Sequence, residues 1–332
     1  MDSSLADLAA AQDGVITTQQ LRTLGHTRAS ITGMVRDHVV TRLTRGVYAV
    51  GEPPEGVIGS VARHRLLGRG ARLLYPDAAL AGHSALVALD LPVWGASLRR
   101  AHLERAIRRE VLTRDLVLRP TFDGSVPGEP VVPTAVALVQ HCLEHGATPG
   151  IVAGDAALHA GVCDHEDLER AAHVVRGWPR SSRVRTMMAL LDGRSESVGE
   201  SRLRVALALL GVRLEPQVEI RDERGRFVAR VDFIVEGTKV VIEFDGLVKY
   251  SEGGVESLVA EKRREDELRR LGYHVVRVVW ADLERLGPLV SRLRSLGVTT
   301  QRGIPDADAI ALHPTKGGAT RETFRGEAAL CP

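Results

Sequence analysis

A chain of 332 residues is long enough for two or three domains. Hydrophobic residues make up 44% and charged residues 26%, which excludes an intrinsically disordered or collagen-like polypeptide. Forty-four basic residues against 42 acidic ones leave a net charge of +2, so any basic surface facing nucleic acid has to be local. Of the basic residues only Lys239, Lys249, Lys262 and Lys316 are lysines, an arginine bias that reads as codon composition. The cysteines Cys142, Cys163 and Cys331 are odd in number and lack metal-ligand spacing, so neither a disulfide framework nor a zinc site is indicated. No apolar run approaches the ~18 residues that span a bilayer, and residues 1–13 lack the basic start of a signal peptide. A cytoplasmic protein without membrane contact is expected.

The first fifty residues read as three short helices followed by a hairpin. Leu5, Leu8 and Ala9 have helical spacing, and Asp13-Gly14 ends that helix. Thr17 or Thr18 caps a second helix carrying Leu21 and Leu24. Thr27 caps a third, with Ile31, Met34 and Val35 inward and Arg28, Ser30 and Arg36 directed elsewhere. Residues 39–50 alternate as a β segment that turns near Arg45-Gly46. Three helices and a β wing describe a winged helix-turn-helix, in which the third helix enters the major groove and wing arginines meet phosphate. Between Val15 and Tyr48 there are five arginines and one acid, a local +4, so Arg28, Ser30, Arg36, Arg42 and Arg45 are the candidate contacts to double-stranded DNA. The bland alternative is that these arginines only solvate a small domain. The run Gly14-Val15-Ile16-Thr17 and the ending Leu43-Thr44-Arg45-Gly46-Val47-Tyr48 resemble the N-terminal domain of AbiEi-family antitoxins over about fifty residues.

Glu52-Pro53-Pro54-Glu55-Gly56 reads as a linker. Residues 57–190 alternate helical patterns, at 79–89 and 134–145, with strands around 99–103 and 116–119. The arginine-dense stretch 99–119 is either a solvated face or a weak nucleic-acid contact. His83-Ser84 suggests a base and a nucleophile, but no strand-turn-helix elbow or third member accompanies them, and the reading is rejected. Residues 155–158 look like the inside of a packed helix. The middle region is left with a positioning or partner-binding role.

From about 192 to 296 the expected order is helix, three strands, helix, strand, helix. Carboxylates near the ends of apolar strands are costly unless paired or metal-bound. Strand alternation puts Glu243 and Asp245 on one face, and Asp232 on the neighbouring strand converges with them. Three such oxygens favour Mg²⁺ (or Mn²⁺). The segment resembles a PD-(D/E)xK nuclease core of the very-short-patch-repair-like kind. That likeness rests on Glu200-Ser201-Arg202-Leu203, Arg230-Val231-Asp232-Phe233 and Ile242-Glu243-Phe244-Asp245-Gly246. Glu261-Lys262-Arg263-Arg264-Glu265 and Leu271-Gly272-Tyr273-His274-Val275-Val276-Arg277-Val278 extend it over about a third of the chain.

The resemblance implies that Asp232 and Glu243 hold the metal, with Asp245 alongside and Glu200 reaching in from the first helix. Val231 replaces the family's proline, and Asp245 stands where its lysine belongs. Lys262 is the expected substitute cation, because it shares a helix face with Leu258 and Val259; Lys249 and Arg263 are reserves. Quieter roles stay open: Ser197-x-x-Glu200 fits a capping box, and Lys262 fits a surface salt bridge.

The fold class is therefore α/β and multi-domain. A winged helix occupies 1–52, an α/β middle region 53–190, a nuclease-like αβββαβ core 191–298, and a flexible tail 299–332. The function expected is Mg²⁺-dependent endonucleolytic hydrolysis of DNA. The alternative is an AbiEi-type antitoxin and autorepressor, partnered by a cognate toxin, whose nuclease-like domain is inactive.

Overall fold

The computed structural model describes residues 3–51, 56–123, 125, 128–246 and 255–300. The chain forms two compact units. One takes the described residues up to 145 together with 165–179; the other takes 146–164 and the described residues from 180 onward. Of the expected segments, residues 52–55 of the linker and 301–332 of the tail lie outside the described residues.

In the first unit, α1 (Ser3–Ala10) buries Leu5 and Ala9. Asp13 and Gly14, both at positive φ, turn the chain into β1 (Val15–Thr17), a strand the sequence reading did not expect. Three residues are too few for alternation to register, and all three are buried. Helix α2 (Thr18–Thr23) begins at a capping box: Thr17 Oγ1 accepts from the Gln20 amide at 3.2 Å while Gln20 Oε1 accepts from the Thr17 amide at 2.9 Å. Helix α3 (Arg28–Arg36) is capped by Thr27, whose hydroxyl accepts from the Ser30 amide at 3.1 Å. Strands β2 (Val40–Thr44) and β3 (Val47–Val50) form the wing, and the sheet order is β1-β3-β2 with all pairs antiparallel. Leu5, Ile16, Leu21, Ile31, Val40 and Tyr48 make the core of this winged helix.

The unit continues with α4 (Gly56–Leu74), β4 (Ala79–Leu80), α5 (Gly82–Ala88), β5 (Ala101–Arg105), β6 (Val111–Leu112), β7 (Leu116–Pro120) and α6 (Thr134–His145). Gly70 lies so close to β3 that a Cβ there would sit 2.2 Å from a Val47 methyl, which joins α4 tightly to the wing sheet. The second sheet has the order β4-β5-β7-β6, with β5 and β7 parallel. Helix α7 (Ala147–His159) belongs to the second unit, α8 (His165–Val174) packs on α6 in the first, and α9 (Ser181–Leu190) is again in the second.

The second unit has the order expected from the sequence. It runs α10 (Val198–Leu209), β8 (Leu214–Arg221), β9 (Phe227–Val235), β10 (Val240–Phe244), α11 (Val255–Arg270), β11 (His274–Val278), α12 (Trp280–Glu284) and α13 (Leu286–Ser295). The last helix, expected as one, is split at Arg285. The sheet order is β11-β10-β9-β8, with β11 parallel to β10 and the other pairs antiparallel. On one face Leu203 and Leu207 of α10 meet Ile242, Phe244, Val276 and Leu293. Each such fully buried aliphatic side chain contributes roughly 1.5–3 kcal/mol. Gly199 permits the approach, since a Cβ there would fall 2.0 Å from the Phe244 ring. On the other face Leu268 of α11 packs with Val231 and Val241.

Helix α7, which the sequence reading placed with α9 in the middle region, packs with both α9 and α10. Arg204 Nη2 of α10 donates to Asp155 Oδ2 of α7 at 2.6 Å, and both side chains are buried. The apparent interior of α7 thus includes a charge, which was legible only once its partner, 49 positions away, was in view.

Candidate functional site

On the winged helix the side chains sort by face. Ile31 is buried and Met34 and Val35 pack beneath α3, while Arg28, Ser30 and Arg36 are exposed. Arg42 and Arg45 are exposed on the wing, and Arg42 lies over the Tyr48 ring at 5.6 Å with a 3.3 Å hydrogen bond to its hydroxyl. The basic residues singled out in the sequence are therefore presented by the two elements that a winged helix offers to a duplex. Arg36 is paired with Asp37 at 2.8 Å, an exposed contact of little net worth that gives way readily to a phosphate.

The acidic residues of the second unit come out differently from the expectation. Glu243, buried on β10, faces α11, and both of its oxygens are taken by Arg264, at 2.7 and 3.1 Å. Its cross-strand neighbour is Arg277, in register on β11. Arg277 donates to Glu261 at 2.7 Å and Glu265 at 3.0 Å, and its Nε lies 3.9 Å from Asp245. Asp232 turns one oxygen to the Phe244 amide at 2.7 Å. The oxygens of Asp232, Glu243 and Asp245 do not gather as a group within 4.8 Å of one another. An all-oxygen set suits Mg²⁺, yet a bidentate guanidinium already fills the Glu243 carboxylate, so the trio as arranged does not fit a shared ion.

Lys262 is exposed and does not reach the acids, contrary to the inward placement expected for it. The stripe of α11 that faces the sheet carries Glu261, Arg264, Glu265 and Leu268, at spacings of three and four, and Lys262 falls beside it. Arg264 supplies the cation instead; its hydrogen bonds to Glu243 and Glu261 hold its guanidinium above the ordinary value. The mixed-charge run hid this, because arginine in this chain carries little information by type. Arg263 is exposed, and Lys249 lies outside the described residues.

Glu200 is buried at the start of α10, where Ser197 caps the helix, but its carboxylate accepts from the Glu196 amide and not from that of Ser197, so the reciprocal bond of a capping box is not made. The Ser197 hydroxyl accepts from the Glu200 amide at 3.1 Å and donates to its carboxylate at 2.8 Å, while the Glu196 amide donates to the other oxygen at 3.0 Å. A third partner was not foreseen: Gln217 Nε2 donates to Glu200 at 3.0 Å. Gln217 has φ of 55°, a left-handed conformation inside β8, between the positions that pair with Phe233 and Val231. Asp232 occupies the facing stretch of β9.

The His83-Ser84 reading is resolved by a different pairing. Ser84 Oγ meets His64 Nε2 at 2.9 Å, and His64 Nδ1 donates to the Leu98 carbonyl at 2.8 Å. Both side chains are buried, and a carbonyl stands where a triad needs a carboxylate.

Residues 3–51 match a family of transcriptional regulators described as AbiEi antitoxins. Over a longer span the chain is similar to two uncharacterized proteins of Mycobacterium tuberculosis, MT2308 and Rv2248. Each is 26% identical over 280 residues, covering 80% of this chain and 96% of the relative. Among the described residues no helix is long and apolar enough to cross a membrane.

Proposed function

We propose that the protein is a duplex-DNA-binding regulator of the AbiEi antitoxin kind, reading base edges with α3 and gripping phosphates with the β2–β3 wing. The observation that carries this reading is the joint exposure of Arg28, Ser30 and Arg36 on α3 and Arg42 and Arg45 on the wing, above a separate apolar core. A toxin protein is the partner that goes with this reading. Fluorescence anisotropy on duplexes enriched from a random library tests the proposal. Replacing Arg45 by alanine should weaken all duplexes alike and lower the salt slope by about 1. Replacing Arg28 should cost about 1–3 kcal/mol of discrimination at one base position. Failure to enrich any sequence, with the variants indistinguishable from the parent, would remove the reading.

A second reading assigns metal-dependent phosphodiester hydrolysis to the second unit, with Mg²⁺ or Mn²⁺ at Asp232, Glu243 and Asp245. One observation favours it: Gln217 is held in a strained backbone conformation while bonded to Glu200 and facing the stretch that carries Asp232. On this reading Arg264 has to leave Glu243 first. Plasmid nicking with and without Mg²⁺, beside Glu243→Ala, decides it. Equal nicking by parent and variant marks a contaminant, and no nicking leaves the regulator alone.

A further inference from the structure

Four histidines of the first unit lie close together: His83, His102, His141 and His145. Helix α6 carries His141, Glu144 and His145 at spacings of three and four, so the three share one face. Helix α5, packed against α6, brings in His83, and β5 brings His102. Ring centroids are 5.3 Å apart for His83 and His145, 4.8 Å for His141 and His145, and 4.3 Å for His83 and His102. One ligand atom each from His83, Glu144 and His145 falls within 4.8 Å of the others, and among the described residues no other such group of three occurs.

The tautomers follow from the neighbours. His83 Nε2 lies 3.1 Å from the Arg100 carbonyl and so carries the hydrogen, which leaves the lone pair on Nδ1. That nitrogen faces His145 Nε2 at 3.4 Å. The separation is long for a hydrogen bond to nitrogen, but two imidazole nitrogens at 2.0–2.1 Å from a tetrahedral ion stand roughly 3.3–3.4 Å apart. The surroundings also match those of a ligand set. His83 gives its other ring N–H to a backbone carbonyl, and Arg119 fixes the Glu144 carboxylate at 3.0 Å.

His141, on the same face of α6, stands outside this group of three ligand atoms. His141 is completely buried, and neither of its ring nitrogens has a hydrogen-bond partner.

We propose that His83, Glu144 and His145 bind one divalent transition-metal ion of the Zn²⁺ class, with a water as the fourth donor. The nitrogen-rich set excludes Mg²⁺ and suits Zn²⁺. Its ligands come from two helices, so the ion clips α5 to α6 and acts as a structural tie.

The test uses the full chain. After chelator treatment, Zn²⁺ and Co²⁺ are titrated back and followed by elemental analysis and by the visible Co²⁺ absorption of tetrahedral sites. One equivalent per chain is expected, with a rise in melting temperature. His145→Gln and Glu144→Gln should each weaken binding by more than about 100-fold, beyond the 10–100-fold typical of outer partners such as Arg119 in Arg119→Gln. His173→Gln, an exposed histidine on α8, should bind as the parent does. Absence of a stoichiometric ion in the folded parent would overturn the proposal, as would unchanged affinity in both ligand variants. If a ligand variant does not fold, parent stoichiometry with the Arg119→Gln affinity decides.

Discussion

Replacing Asp155 by alanine should be among the most damaging single changes in the second unit. The Asp155 side chain is 0% exposed and that of Arg204 is 9% exposed, so the mutation strands a guanidinium away from water. Breaking a buried pair from one side costs about 3–5 kcal/mol. Here Arg204 keeps bonds to the Leu190 carbonyl and the Ser195 hydroxyl, which argues for the lower end, near 3 kcal/mol. The Asp192 amide, which donates to Asp155 at 2.8 Å, loses its acceptor as well. At roughly 2–4 °C per kcal/mol for a domain of this size, the melting temperature should fall by about 6–12 °C. Calorimetry of Asp155→Ala, Arg204→Ala and the double variant gives the coupling directly. The combined Asp155→Leu, Arg204→Met protein should regain most of the loss, because an apolar pair strands no charge. A shift below about 1 °C in Asp155→Ala would refute the argument, since no stranded charge could then exist.

Gly199→Ala should destabilise the second unit by about 1–3 kcal/mol in urea titrations, because the new methyl must displace the Phe244 ring. A neutral result would mean that α10 can lift off β10 at no cost. His64 supplies a pH dependence: burial lowers its pKa from 6.5 to about 4. The unfolded chain then binds the proton more readily, so stability declines as pH falls through that window, by roughly 3 kcal/mol once pH is below 4. Denaturant titrations of the chelated protein between pH 7 and pH 4 check this, and a flat profile would contradict it.

The elements of the second unit were legible because β9 and β10 are largely apolar segments, glycines at 211, 225, 237, 272 and 297 mark the turns, and Ser197 caps α10. The winged helix was legible for the same reason, except for β1, where three residues hold no periodic signal. Side-chain partnerships were another matter. Glu243 and Arg264 are 21 positions apart, and several basic residues on α11 could have met that carboxylate equally well from the sequence. Only the rotation of α11 against the sheet chose Arg264 over Lys262. The histidine cluster was not legible because His64, His83, His102 and the α6 pair come from separate elements, and His83 was weighed only beside Ser84.

Pro216 and Gln217 interrupt β8, the outermost strand of its sheet. A proline has no amide hydrogen to offer, and a left-handed residue beside it turns the adjoining peptide out of line. The rim of the sheet therefore presents no unbroken ladder onto which a stray β-strand could zip. Pairing with a strand of another copy is thereby disfavoured along this edge.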